Sequence, residues 1–184
     1  MTRHAFGLLG CGRMGQVWTD TVNAHPDCRL AAVHDRDAAA AARIAVAAQG
    51  PALPSLQAVL DDPAVDAVLV CTPTHTHPQI VAEAAAAGKH VLCEKPMALT
   101  VGGCRQMMDA CRRAGVALVV GQTLRFWGAF FTLRERVAAG DIGQACQAQV
   151  LRGGSVGVAP AGVVAPDTAE SRRWRYDTRY SGGN

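Results

Sequence analysis

Three glycines near the N-terminus have the spacing of a phosphate-binding turn. Gly10, Gly12 and Gly15 follow the short apolar run 5–9 and open a segment, 13–25, whose apolar residues recur at helical spacing. Strand, glycine turn and helix in this order are the context in which the pattern binds dinucleotides. Gly10 would let the chain turn, Gly12 would let the backbone approach a pyrophosphate, and Gly15 would let the helix pack closely on the strand. A glycine-rich turn without a ligand has the same pattern, and these residues alone leave both interpretations open.

Two residues at the start of this helix, Arg13 and Met14, belong to the same predicted site. The free N–H groups and the positive end of the helix dipole at this point would face the phosphates. We therefore predict cofactor contacts at Arg13 and Met14 as well as at the glycines.

An acidic residue, Asp35, stands about 20 positions beyond Gly15, at the end of the second predicted strand, 29–33. A carboxylate there can accept hydrogen bonds from both ribose hydroxyls of an adenosine and repels a 2′-phosphate, which favours NAD over NADP. Arg36 beside it could stack on adenine or hold that phosphate. The alternative for Asp35 is a simple cap for the helix that starts at Asp37.

The elements around these residues alternate between strand and helix. Buried strands are predicted at 5–9, 29–33, 66–70, 90–93 and 116–120, and the main helices at 13–25, 37–49, 55–60, 76–87 and 100–114. This alternation predicts an α/β domain, a doubly wound parallel sheet of the Rossmann type, over residues 1–121. Right-handed crossovers and binding at the carboxyl ends of the strands would bring the predicted site residues to one edge. These include Gly12, Asp35, Thr72 and Lys95.

The pattern changes after Gly121. Residues 130–137 show a helical apolar face, 145–152 alternate like a half-buried strand, and 153–167 have no period and predict a loop. We expect residues 122–184 to begin a second domain.

Composition argues against several classes of protein. Hydrophobic residues make up 49% of the chain, so a disordered chain is not expected. The net charge of +3 is too small to indicate nucleic acid or an acidic membrane as a partner, and no apolar run reaches membrane-spanning length. The seven cysteines are scattered without a C-x-x-C pair, which is typical of free thiols in a reducing, cytoplasmic compartment. His75 and His77 lack a third ligand nearby, so we expect no metal site.

The ordered set of motifs resembles the Gfo/Idh/MocA family of nicotinamide-dependent oxidoreductases, the relatives of glucose–fructose oxidoreductase and inositol dehydrogenase. The resemblance runs along the whole chain. Its most specific part is Glu94-Lys95-Pro96, because many dehydrogenases share the glycine turn alone. The other matching motifs are Cys71-Thr72-Pro73 with His77, Gly88-Lys89-His90-Val91, Gly121-Gln122 continuing to Arg125-Phe126-Trp127, Gly140 to Gly143, and Trp174 with Gly182-Gly183.

The resemblance implies hydride transfer between NAD, or less readily NADP, and a hydroxyl or carbonyl of a sugar, cyclitol or related substrate. It implies that Lys95 is both catalytic and substrate-binding, because the ammonium would contact the reacting oxygen and stabilise its alkoxide character. Arg125 would hold substrate or brace the domain joint, and Glu94 would either neighbour the cofactor or hold Lys95. The other implied cofactor contacts are Thr72, Pro73, His77 and Gln122, with a helix-start role as the alternative for His77.

The resemblance also implies that the second domain is incomplete. Residues 122–184 would begin an α+β domain whose open, mainly antiparallel sheet carries the substrate pocket and the face through which relatives form homo-oligomers. In the family an aspartate and then a histidine, for substrate binding and acid/base chemistry, follow the Gly-Gly stretch, and this sequence stops before both. We interpret the chain as the N-terminal portion of a dehydrogenase. The alternatives are an NAD-binding fragment without turnover and an enzyme of another Rossmann class.

Overall fold

The computed structural model describes residues 3–149. Within them, residues 3–121 and residues 122–149 are separate compact units. The rest of the predicted second domain, 150–184, with its Gly182-Gly183 motif, lies outside the described residues.

The first unit alternates strands and helices, as the apolar pattern predicts. Its strands are β1 (His4–Leu9), β2 (Cys28–His34), β3 (Ala67–Val70), β4 (His90–Cys93) and β5 (Leu118–Val120). Its α-helices are α1 (Arg13–Ala24), α2 (Ala38–Ala48), α3 (Leu56–Asp61), α4 (His77–Ala86) and α5 (Val101–Ala114). The last strand is shorter than the predicted 116–120.

Local sequence signals set several helix ends. The side chains of Asp37, Ser55 and Thr100 accept hydrogen bonds from backbone N–H groups in the first turns of α2, α3 and α5. Gly115 ends α5 with a φ of 68°, in the left-handed region that glycine adopts without strain. These helix ends depend on residue types within one turn of the helix, which are visible in the sequence.

The five strands form one parallel sheet in the order β2-β1-β3-β4-β5. The chain passes from β1 outward to β2 and returns to the other side of β1 with β3. The topological switch point therefore lies between β1 and β3, and ligands of such sheets bind beside that point at the carboxyl ends of the strands. The predicted doubly wound α/β fold is confirmed.

Helices cover both faces of the sheet, and each face has its own core. Alternate residues of β3 show this, since Val68 and Val70 belong to one apolar cluster and Leu69 to the other. All three are at most 1% exposed, which is typical of parallel strands covered on both sides. Side chains of α3, α4 and α5 complete the first cluster, and those of α1 and α2 the second.

The second unit contains the helix α6 (Gly128–Ala138), preceded by a 3-10 turn at Thr123–Phe126. The strand predicted over 145–152 is wrong for 145–149, which are irregular and exposed, and 150–152 lie outside the described residues. Alternation makes a strand only where a neighbouring strand supplies hydrogen bonds, and no described residue pairs with this segment. None of the helices in the described part of the chain is long and apolar enough to cross a bilayer.

Candidate functional site

The glycine turn joins β1 to α1 at the switch point of the sheet. Gly10 has a φ of 97°, and its N–H donates to the His34 carbonyl at 2.9 Å. A Cβ added to Gly10 would lie 2.7 Å from the backbone of Cys71. The turn after β1 therefore packs directly on the turn after β3, and both the positive φ and this close approach require glycine.

Gly12 stands at the N-cap position of α1 and has open space in front of it. An added Cβ would meet no atom within 4 Å, and no side chain caps the helix at this position. Arg13 is exposed and Met14 is half-buried beside it. A bare backbone before uncapped helix N–H groups is the geometry that suits a pyrophosphate.

Asp35 is joined to the glycine turn. Its Oδ2 accepts the N–H of Cys11 at 2.6 Å, and its Oδ1 accepts the N–H of Asp37 at 2.9 Å. The cap of α2 is Asp37, whose Oδ1 accepts two helix N–H groups, so Asp35 is not the simple helix cap considered as its alternative. Each carboxylate oxygen keeps a lone pair for a ribose hydroxyl. Arg36 lies exposed beside it.

Arg43 on α2 holds the same turn, a contact that the sequence patterns do not predict. Its Nη2 donates to the Cys11 carbonyl at 3.1 Å, and its Nη1 donates to Oε1 of Gln16 at 3.2 Å. An arginine within an alanine-rich helix has no local signal for this contact, which spans 32 positions. Asp35 and Arg43 thus fix the backbone of the turn from the same side of the sheet.

His77 connects the turn after β3 to the turn after β4. It is 1% exposed. Its Nε2 lies 2.9 Å from the Thr72 carbonyl, and its Nδ1 lies 3.1 Å and 3.2 Å from the carbonyls of Pro96 and Met97. Backbone carbonyls therefore occupy both ring nitrogens. His77 is also the first residue of α4, as its helix-start alternative expects, and its direct contact with the cofactor stays a prediction. Thr72 and Pro73 lie half-buried at the strand ends.

The turn after β4 carries Glu94 and Lys95. Glu94 is 5% exposed; its Oε1 accepts the indole N–H of Trp18 at 2.8 Å, and its Oε2 accepts the backbone N–H of Lys95 at 3.2 Å. The Lys95 side chain is exposed, and within residues 3–149 its ammonium has no hydrogen bond or salt bridge. The Lys95-Pro96 peptide bond is cis. An unpaired ammonium at the carboxyl end of β4 is available to an oxygen of a substrate.

Three cysteines at the strand ends are poor nucleophiles. Burial, reinforced by the Asp35 charge, raises the pKa of Cys11 to about 12. Burial, reinforced by the Glu94 charge, raises the pKa of Cys93 to about 12 and that of Cys71 well above its usual range. Because a thiol must ionise to attack a substrate or bind a metal, these residues supply neither chemistry. Among the described residues, no group of three His, Cys, Asp or Glu could hold a metal ion.

Thiol labelling tests these shifts. In the folded protein at pH 8 we expect the exposed Cys146 to react with iodoacetamide far faster than Cys11 or Cys93. A pKa near 12 alone lowers the thiolate fraction roughly 1,000-fold relative to an ordinary thiol. Peptide mass spectrometry gives the rate at each site, and labelling in denaturant is the control in which the rates should converge. Equal native rates at Cys11 and Cys146 would contradict the expectation.

Gln122 and Arg125 belong to the second unit. Both are exposed, and the N–H of Arg125 donates to the Gln122 carbonyl at 3.0 Å. Their contacts with cofactor and substrate remain predictions.

The chain matches one family profile and a set of known relatives. The profile described as "Oxidoreductase family, NAD-binding Rossmann fold" matches residues 4–122. The inositol 2-dehydrogenase of Rhizobium meliloti is 38% identical over 139 residues, which are 76% of this chain and 42% of that protein. The chain spans about two fifths of the length of the curated relatives it matches.

Two solved structures show the same fold with ligands bound. The WlbA dehydrogenase of Bordetella pertussis, in complex with NADH and UDP-GlcNAcA, is similar with a TM-score of 0.75 and 30% identity, covering 78% of this chain and 42% of that one. Levoglucosan dehydrogenase, in complex with NADH and levoglucosan, is similar with a TM-score of 0.73 and 27% identity, covering 78% of this chain and 41% of that one.

Proposed function

The chain belongs to the Gfo/Idh/MocA family of oxidoreductases, and we propose that it is the NAD-binding part of a dehydrogenase for a sugar, cyclitol or related substrate. The juxtaposition of the glycine turn and Asp35 carries this proposal. Open space before Gly12 leaves room for a pyrophosphate. The carboxylate of Asp35 accepts a hydrogen bond from the N–H of Cys11 in the same turn, and an acid at the end of the second strand is the residue that binds the adenosine ribose in such folds.

The proposed chemistry depends on Lys95. Bound NAD would supply the hydride acceptor at the carboxyl edge of the sheet. As an alcohol carbon loses its hydride and its oxygen loses a proton, the oxygen gains negative charge, and an ammonium beside it stabilises that charge. Lys95 is exposed at this edge and unpaired among the described residues, which supports its role as the residue that contacts the reacting oxygen.

Relatives support the substrate class. They include an inositol 2-dehydrogenase and structures in complex with levoglucosan and with UDP-GlcNAcA, and these compounds are all polyhydroxylated small molecules. We extend this substrate class to the chain. The proposal also includes a domain boundary between residues 121 and 122 and a cytoplasmic location, which the free thiols of the described residues favour. Homo-oligomer formation through the second domain belongs to the same proposal.

Cofactor preference tests the proposal at Asp35. We expect the chain to bind NAD more tightly than NADP. Asp35→Asn should weaken NAD binding by about tenfold or more, because the variant loses charge-assisted hydrogen bonds to the ribose. NADP binding should change less, because the variant also loses the repulsion of the 2′-phosphate. Calorimetric titration with both cofactors gives the ratio. Asp27→Asn, at an exposed site, removes the same charge elsewhere and should leave the ratio unchanged. Equal affinities in the wild-type chain would contradict the proposal.

A second candidate function is NAD binding without turnover. It concerns residues 1–184 taken by themselves, which match about two fifths of the length of the relatives. Absorbance at 340 nm during incubation with NAD and a panel of polyols separates the two functions once calorimetry has shown binding. Turnover that disappears in Lys95→Met supports the dehydrogenase, and tight NAD binding with no turnover supports the second candidate.

A further inference from the structure

We propose that Trp18 is a positioning residue for Lys95 and acts through the buried carboxylate of Glu94. The proposal rests on the proposed function, because it concerns how the chain places the ammonium that would meet the substrate. Trp18 lies on α1, at the start of the chain, and carries no sequence signal for such a role. Its contact with Glu94 spans 76 positions.

The carboxylate of Glu94 has few partners for a buried charged group. Of its residue surface, 5% is exposed. The indole N–H of Trp18 reaches Oε1 at 2.8 Å, and the backbone N–H of Lys95 reaches Oε2 at 3.2 Å. The salt bridges of the described residues do not include Glu94. Because a buried acceptor without its donor is costly, the orientation of this carboxylate depends strongly on the indole.

The end of β5 closes another side of the carboxylate. A Cβ added to Gly121 would lie 3.4 Å from Oε1 of Glu94, and the N–H of Gly121 is held by the Cys93 carbonyl at 2.8 Å. Trp18 packs against the apolar cluster on the α1 side of the sheet. The carboxylate therefore lies between the indole of Trp18 and the end of β5, both of which are held by other contacts.

Lys95 is consequently held on both sides of its Cα. Its own N–H donates to Glu94, and the carbonyls of Pro96 and Met97, immediately after it, lie 3.1 Å and 3.2 Å from Nδ1 of the buried His77 ring. With the backbone around Lys95 held in this way, its ammonium is confined to the reach of one side chain from the carboxyl end of β4. Loss of the Trp18 N–H would release one of the two anchors without touching the ammonium.

Amide hydrogen exchange measures this coupling directly. Trp18→Phe keeps an aromatic ring but removes the N–H, and we expect it to speed exchange at the Lys95 amide several-fold, up to about tenfold, which is the loss of one modest hydrogen bond. The Lys89 amide, bonded to the Ala84 carbonyl at 2.9 Å, should not change. Trp127→Phe makes the same substitution at an exposed site in the second unit and is the matched control. No change at Lys95, or an equal rise at Lys89, overturns the proposal.

A second variant, Glu94→Gln, tests the same contact in case the Trp18→Phe chain folds poorly. Glu94→Gln keeps the shape of the side chain but replaces one acceptor oxygen by an amide donor, so it should speed exchange at the Lys95 amide in the same way. Adding Trp18→Phe to Glu94→Gln should then have little further effect, because the indole acts only through the carboxylate. Additive effects of the two changes would overturn the proposed route.

The functional readout is chemical modification of the two lysine ammoniums. Lys89, whose ammonium donates to the carbonyls of Asp62 and Val65, is the internal reference for a trace amine reagent. We expect saturating NADH to slow labelling of Lys95 relative to Lys89 in the wild type, and Trp18→Phe to lose most of this protection while calorimetry still shows NADH binding. Full protection in Trp18→Phe overturns the positioning role. If NADH does not protect Lys95 even in the wild type, the proposed function fails at Lys95, and the exchange data alone decide whether Trp18 controls its backbone.

Discussion

Gly15→Ala is expected to destabilise the folded chain by about 3 kcal/mol, although alanine is normally the better residue inside a helix. The added methyl group would fall on the carbonyl oxygen of Gly10, well inside contact distance, with the Leu8 side chain behind it. The Gly10 carbonyl cannot move away easily, since the Gly10 N–H is bonded to His34 and its Cα packs on Cys71. The methyl group must therefore push α1 away from β1.

Denaturant unfolding measures this loss, with Gly102→Ala as the matched control. Gly102 lies in the first turn of α5, where an added Cβ would meet only the Thr100 hydroxyl, at 3.8 Å. There the substitution should be neutral or stabilising by up to about 1 kcal/mol, through helix propensity. A Gly15→Ala protein with the unfolding midpoint of Gly102→Ala would show that α1 does not depend on this close approach.

Gly12→Ala is expected to affect cofactor binding and not folding. The free energy of unfolding should be unchanged, and NAD affinity should fall about 100-fold, on the order of 3 kcal/mol. Gly12 has a φ of −76°, which any residue adopts, and its side-chain position is empty of protein atoms. The methyl group would instead occupy the space through which a pyrophosphate approaches the backbone.

Calorimetry on Gly12→Ala, together with its unfolding midpoint, tests this expectation. The wild-type midpoint with weakened NAD binding is the predicted result, and Gly102→Ala should bind NAD like the wild type. Unchanged affinity in Gly12→Ala would mean that the cofactor does not pass over this turn. Of these two glycines of one motif, Gly15 would then be needed for folding and Gly12 for cofactor binding.

The sequence predicted the elements better than the contacts between them. Helix caps such as Ser55 and Thr100, and stops such as Gly115, depend on residue types within one turn, so they are visible locally. The contact of Trp18 with Glu94 has no such signal, because only the finished sheet brings α1 beside the end of β4.

Two features show the limits of local patterns. The cofactor contact of His77 stays a prediction, but no local pattern indicates that its ring is buried against the carbonyls of two turns, because one of these turns comes 19 positions later in the chain. The strand at 145–152 was predicted from alternation alone, and 145–149 lack a pairing partner among the described residues. Position in a sequence motif did not specify what each side chain touches.

The sheet order has a consequence for synthesis of the chain on the ribosome. The strand made first, β1, lies between β2 and β3, so one of its edges stays unpaired until Val70 has emerged, roughly 60 residues after Leu9. At 5–20 residues per second this interval lasts about 3 to 12 s. During that time the nascent chain carries an apolar strand with an open edge, a target for holding chaperones, and the glycine turn that follows it has no partner turn to pack against.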